Sequence, residues 1–135
     1  MASIVTTTIT NGAGQNLVLR LSNDGNPPPT IKNTQTATFP LAVPANYVNG
    51  ALVYEVGNSL KWILFWTTDN QVSTKMFKIS DSIDWKQVAN NLKSGQMSED
   101  MITYAKYEYT AWANIGPNSY GQAVTASINA RPVSK

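Results

Sequence analysis

Three observations predict an all-β fold, an antiparallel β-sandwich of about seven to nine strands with one short flanking helix. Short runs rich in β-branched and aromatic residues recur along the chain, separated by Gly, Pro, Asn and Asp clusters. One run, Leu60–Thr67 (LKWILFWT), is apolar on both faces, so it reads as a strand covered on both sides. Only one stretch has a convincing helical period. A chain of 135 residues fits one domain, residues 1–135, with no internal repeat.

Taken in order, Ser3–Thr10 is a β-branched first strand, and Asn11–Gly14 is turn chemistry. Leu17, Leu19 and Leu21 alternate along a second strand. Asn23–Pro29 ends it, because three prolines cannot donate to a ladder. Thr30–Phe39 is a polar edge strand, and Pro40 and Pro44 break the next stretch into loop. Asn49-Gly50 signals a tight turn. Ala51–Val56 then alternates and forms a hairpin with Leu60–Thr67 through Gly57-Asn58. Asp69-Asn70 turns into a strand over Val72–Ile79.

Asp81, Ser82 and Asp84 can cap a helix whose apolar stripe is Trp85, Val88, Ala89 and Leu92, with Gly95 at its C-terminal end. Ser98–Asp100 suits the start of a helical turn, whereas Met101–Trp112 suits a strand. Gly116-Pro117-Asn118 is a turn, and Ala123–Ala130 is the last strand.

The inventory removes most catalytic chemistry. The chain has no His and no Cys, so it lacks a His general base, a thiol nucleophile and a Cys/His metal site. Eight carboxylates are present, and the close pairs Asp81/Asp84 and Glu99/Asp100 read as helix-capping groups. The expectation is no enzyme, no cofactor and no metal. A net charge of +2 with scattered Lys and Arg predicts no nucleic-acid partner. The beginning, MASIVTTTITNG, has no basic leader or apolar block, which predicts cytoplasmic synthesis without a signal peptide; release and membrane association stay compatible with that.

Aromatic residues are the remaining signal. Trp62 and Trp66 share one face of Leu60–Thr67 and read as core. In a continuous strand, Tyr107 and Tyr109 share one face while Tyr104 and Trp112 share the other. With Trp85, these are the candidate ligand-binding residues. Exposed Tyr and Trp rings stack on sugars, hold a quaternary ammonium by cation–π attraction, or sit at a lipid interface. The alternative is that the same rings fill the sandwich core.

The order of these features resembles the actinoporin-like β-sandwich superfamily. The residues that carry the likeness are Thr10-Asn11-Gly12, Leu17–Leu21, Gly50–Tyr54, Trp62–Trp66, Met101 with Tyr104, Tyr107 and Tyr109, and Gly121–Val124. That group includes sea-anemone pore-forming toxins, fungal fruit-body lectins and, more loosely, aegerolysins. ALVYEV…KWILFWT is also similar to a hairpin in plant jasmonate-induced proteins. The resemblance implies recognition without catalysis. In actinoporins a Tyr- and Trp-lined pocket holds a phosphocholine headgroup, and in the lectins related loops hold sugars. The matching positions are Tyr104, Tyr107 and Tyr109, with Trp85 and Trp112 as neighbours. Actinoporins carry an amphipathic helix before the first strand. This sequence starts two residues ahead of its first strand, so pore formation by that route is not expected. The functional expectation is a non-enzymatic binding or defence protein that recognises membrane lipid headgroups, as in a cytolysin-like toxin component. The alternatives are a carbohydrate-binding lectin and a stress-induced, self-assembling homo-oligomer.

Overall fold

The computed structural model describes residues 4–22, 27–42, 49–67, 71–83, 86, 97–118 and 121–133. Ten strands are described: β1 (Ile4–Gly12), β2 (Leu17–Ser22), β3 (Thr30–Ile31), β4 (Thr36–Ala42), β5 (Asn49–Val56), β6 (Leu60–Thr67), β7 (Val72–Lys78), β8 (Met97–Tyr104), β9 (Tyr107–Asn118) and β10 (Gly121–Pro132). They form two five-stranded sheets, β4-β1-β10-β9-β8 and β3-β2-β5-β6-β7. The first and last strands lie side by side and run parallel; the other pairings are antiparallel.

The main core lies between the sheets. β6 contributes Leu60, Trp62, Leu64 and Trp66; β9 and β10 contribute the small Ala111, Ala113 and Ala126, beside Ile115, Val124 and Ile128. Alternating large and small side chains lets two layers only ~10 Å apart interdigitate. The outer face of β6 is covered as well. Ile63 and Phe65 form a second cluster with Ala51 and Val53, and Phe77 and Ile83 pack against it. The two-sided apolar reading of Leu60–Thr67 therefore holds, and the Gly57 turn of its hairpin adopts φ 55°.

Several expectations are corrected. Ten strands replace about seven to nine because two expected strands each divide. Residues 30–42 fold as β3 and β4 around a turn that places Thr34 at φ 74°. Residues 97–118 fold as β8 and β9, so Ser98–Asp100 is strand and not the start of a helical turn. Pro40 lies within β4, where an edge position has no need of its missing N–H. Gly116 and Pro117 also lie within a strand. Among the described residues β8 pairs along β9 only as far as Asn114, so Pro117 lies beyond that ladder. Asn49-Gly50 opens β5 and makes no turn. Gly50 faces Trp66 across the ladder, and a Cβ there would overlap the indole. The flanking helix expected over Trp85–Gly95 lies outside the described residues, of which Lys86 alone falls in that stretch; the described elements are all strands.

Candidate functional site

At the end of the sandwich where β1 finishes, Asn11 is fully buried and organises two loops. Its side-chain amide donates to Gln15 O at 2.8 Å and to Ile31 O at 2.9 Å, while its Oδ1 accepts the Ala13 N–H at 3.0 Å. An Asn can do this because one short side chain carries two donors and an acceptor. Its backbone binds the β3–β4 turn, donating to Gln35 O and accepting from Thr34 N–H, both at 2.9 Å. Gly14, at φ 81°, donates to Asn33 Oδ1 at 3.0 Å, and Asn33 N–H donates to Asn16 Oδ1 at 3.1 Å. The 12–15 loop and the 32–35 turn are thereby held as one body.

These loops and the end of the β9–β10 pair enclose an open groove of about 510 Å³. It is lined by Gly12 to Gln15, Asn33, Thr34, Tyr107, Tyr109 and Ala130. Tyr109 is 1% exposed, and its hydroxyl accepts from Gln15 Nε2 at 3.0 Å. Tyr107 is 45% exposed and stands beside it, with ring centroids 6.3 Å apart and planes tilted by 50°. That separation lies within the range of favourable aromatic pairs. Gln15 is pinned from behind by Gly57, where a Cβ would overlap its side-chain oxygen. Thr34 contributes backbone strain, since a β-branched residue at φ 74° is an outlier. Among the described residues, none of the lining side chains carries a formal charge.

The expected site residues are divided by a turn that the periodicity did not reveal. Ala105 and Lys106, at φ 52° and 71°, form a two-residue hairpin loop of the kind that needs positive φ at both positions. Tyr104 consequently pairs with Tyr107, and Ile102 with Tyr109. Paired residues share a face, so Tyr104, Tyr107 and Tyr109 all point toward the sandwich interior. This corrects the expectation that Tyr104 shares a face with Trp112. Tyr104 is half-buried against the core and does not line the groove. Trp112 lies half-exposed on the opposite, outer face of the same sheet. Trp85 lies outside the described residues. Asn11, Gln15, Asn33 and Thr34 were not anticipated as site residues; the Asn-Gly-Ala-Gly turn signal was the one mark pointing to them.

No family model matches the chain, and no curated protein matches it. Among solved structures, the crystal structure of the lipid binding protein Nakanori matches with a TM-score of 0.69 at 16% sequence identity, over 96% of this chain and 72% of that one. The two chains share a β-sandwich fold.

Proposed function

We propose that the chain is a non-enzymatic binding protein that recognises a membrane lipid headgroup in the Tyr107–Tyr109 groove. The observation that carries this reading is an exposed Tyr107 ring beside the buried Tyr109, at the wall of an uncharged, half-open groove. Such a site can hold a quaternary ammonium against ring faces by cation–π attraction, worth about 0.5–2 kcal/mol depending on desolvation. Lys32 and Lys106 adjoin Asn33 and Tyr107 in sequence and suit the phosphate of a zwitterionic headgroup. The fold shared with a lipid binding protein supports lipid recognition in general. Membership of the actinoporin-like superfamily, and a cytolysin-like role in which this groove docks the protein on a membrane, belong to the same proposal. The lack of His and Cys supports binding over catalysis.

The test is an NMR titration of the isotope-labelled chain with soluble phosphocholine. The expected result is saturable shifts confined to the amides of Gly14, Asn33, Thr34, Tyr107 and Tyr109. Shifts that map elsewhere, or none at millimolar ligand, contradict the reading.

A further inference from the structure

Backbone strain in this chain gathers at one end of the sandwich. Among the described residues, three that are not glycine take positive φ: Thr34 at 74°, Ala105 at 52° and Lys106 at 71°. The described glycines that do so are Gly14 and Gly57. All five surround the Tyr107–Tyr109 groove. Thr34 and Gly14 line it, Ala105-Lys106 leads directly into Tyr107, and Gly57 packs against the lining residue Gln15. Residues held in sparsely populated backbone regions persist where their surroundings fix them, and they cluster at ligand sites.

Thr34 is the least expected of the five. Gln35 N–H donates to Lys32 O at 3.0 Å, closing a four-residue turn with Asn33 and Thr34 at its centre. Of these two only Thr34 takes positive φ, the pattern of a type II turn, whose third position calls for Gly or Asn. A branched Cβ is strained there. Neither packing nor hydrogen bonding within the chain explains the threonine. Its N–H donates to Asn11 O at 2.9 Å, a bond that a glycine makes as well. Its side chain is exposed, and among the described residues no hydrogen bond engages its hydroxyl. What that side chain does is line the groove.

We infer that Thr34 is a specificity-determining residue of the groove, its hydroxyl donating to an acceptor oxygen of the bound headgroup. This rests on the headgroup reading above and adds to it a ligand contact from the loop side of the groove. The strained turn keeps a hydrogen-bonding side chain where a glycine presents backbone alone. Stability and binding are therefore opposed at Thr34. Relief of strain there removes the contact, whereas relief at Ala105, which is not among the described lining residues, removes none.

The test pairs thermal melts with NMR titrations of soluble phosphocholine for the wild-type chain, Thr34→Gly, Thr34→Val, Thr34→Ser and Ala105→Asn. Thr34→Gly should melt a few degrees above wild type, since glycine adopts positive φ freely. It should bind about fivefold more weakly, the size of one lost hydrogen bond. Thr34→Val keeps the branch and loses the hydroxyl, so it should bind as weakly as Thr34→Gly without the gain in stability. Thr34→Ser keeps the hydroxyl and should bind like wild type. Ala105→Asn should melt above wild type and bind like it, because Asn suits that turn position. A Thr34→Gly chain that melts at or below wild type shows no strain at this turn and overturns the inference. So does a Thr34→Gly or Thr34→Val chain that binds like wild type. A wild-type chain with no phosphocholine shifts at millimolar ligand overturns the headgroup reading and this contact with it, a result distinct from a bound headgroup that ignores Thr34.

Discussion

The Asp100 carboxylate accepts the Met76 backbone N–H at 2.8 Å, joining the edge strand of one sheet to the edge strand of the other. Ser98, two residues earlier on β8, accepts the Thr74 N–H in the same way at 3.1 Å. Free edge donors of β7 that could template another chain are thus capped by side chains from across the sandwich. Lys75 Nζ adds an ion pair to Asp100 at 3.5 Å. Asp100→Ala should lower stability by about 1–3 kcal/mol, since a buried N–H loses its acceptor. Asp100→Asn should cost less, because its amide oxygen still accepts. Urea denaturation measures both, and equal midpoints for wild type and Asp100→Ala would show that the cap is dispensable.

Asn11 should be the least replaceable residue near the groove. Asn11→Ala orphans two carbonyls and one N–H, for an expected loss of about 2–4 kcal/mol. Asn11→Asp should be at least as damaging, because it turns a carboxylate toward the Gln15 and Ile31 carbonyls. Thermal melts of the two variants check the ranking, and an unaffected Asn11→Asp protein would count against it.

Gly50→Ala should destabilise by about 1–3 kcal/mol through overpacking, because the added methyl meets the buried, rigid Trp66 ring. The double variant Gly50→Ala with Trp66→Leu should recover part of the loss. If the single variant melts with the wild type, the close approach of Gly50 to Trp66 is not rigid.

Burial of Tyr54 raises its phenol well above the ordinary 10.0, while its hydroxyl donates to Pro28 O at 2.7 Å. The neutral form is therefore favoured in the fold. Below pH 10 both folded and unfolded chains keep that proton; above it the unfolded chain loses its proton first. Stability should consequently decline as pH rises beyond about 10. Tyr54→Phe should flatten this alkaline decline while being less stable at neutral pH, where Pro28 O loses its donor. Equilibrium unfolding between neutral pH and pH 11 tests it, and parallel alkaline slopes for the two proteins would contradict the assignment.

The parts of this fold that could be read from sequence are those where local chemistry and long-range packing agree. Leu60–Thr67 has apolar side chains at both parities, and the structure covers both of its faces. Gly57-Asn58 lies between two matched apolar runs, and the hairpin forms there. Signals failed where a residue type serves a tertiary purpose. Gly50 resembles a turn residue, yet it makes room for an indole that arrives from the next strand. Ala105 and Lys106 carry no turn signature, yet they occupy positive φ and put Tyr104 on the face of Tyr107 and Tyr109. For the site, the Tyr-rich stretch and the placing of Trp112 opposite Tyr107 and Tyr109 were legible from strand alternation, but the face of Tyr104 depends on that turn. The loops opposite them depend on Asn11, whose side-chain hydrogen bonds reach 20 residues along the chain.

Headgroup recognition by the Tyr107–Tyr109 groove can be measured by co-sedimentation of the chain with vesicles bearing phosphocholine headgroups, comparing wild type, Tyr107→Phe and Tyr107→Ala. Wild type and Tyr107→Phe should pellet and be released by free phosphocholine, whereas folded Tyr107→Ala, lacking the ring beside Tyr109, should stay in the supernatant. A wild-type chain that pellets with no vesicle composition, or a Tyr107→Ala chain that pellets as well as wild type, would show that this groove does not hold a lipid headgroup.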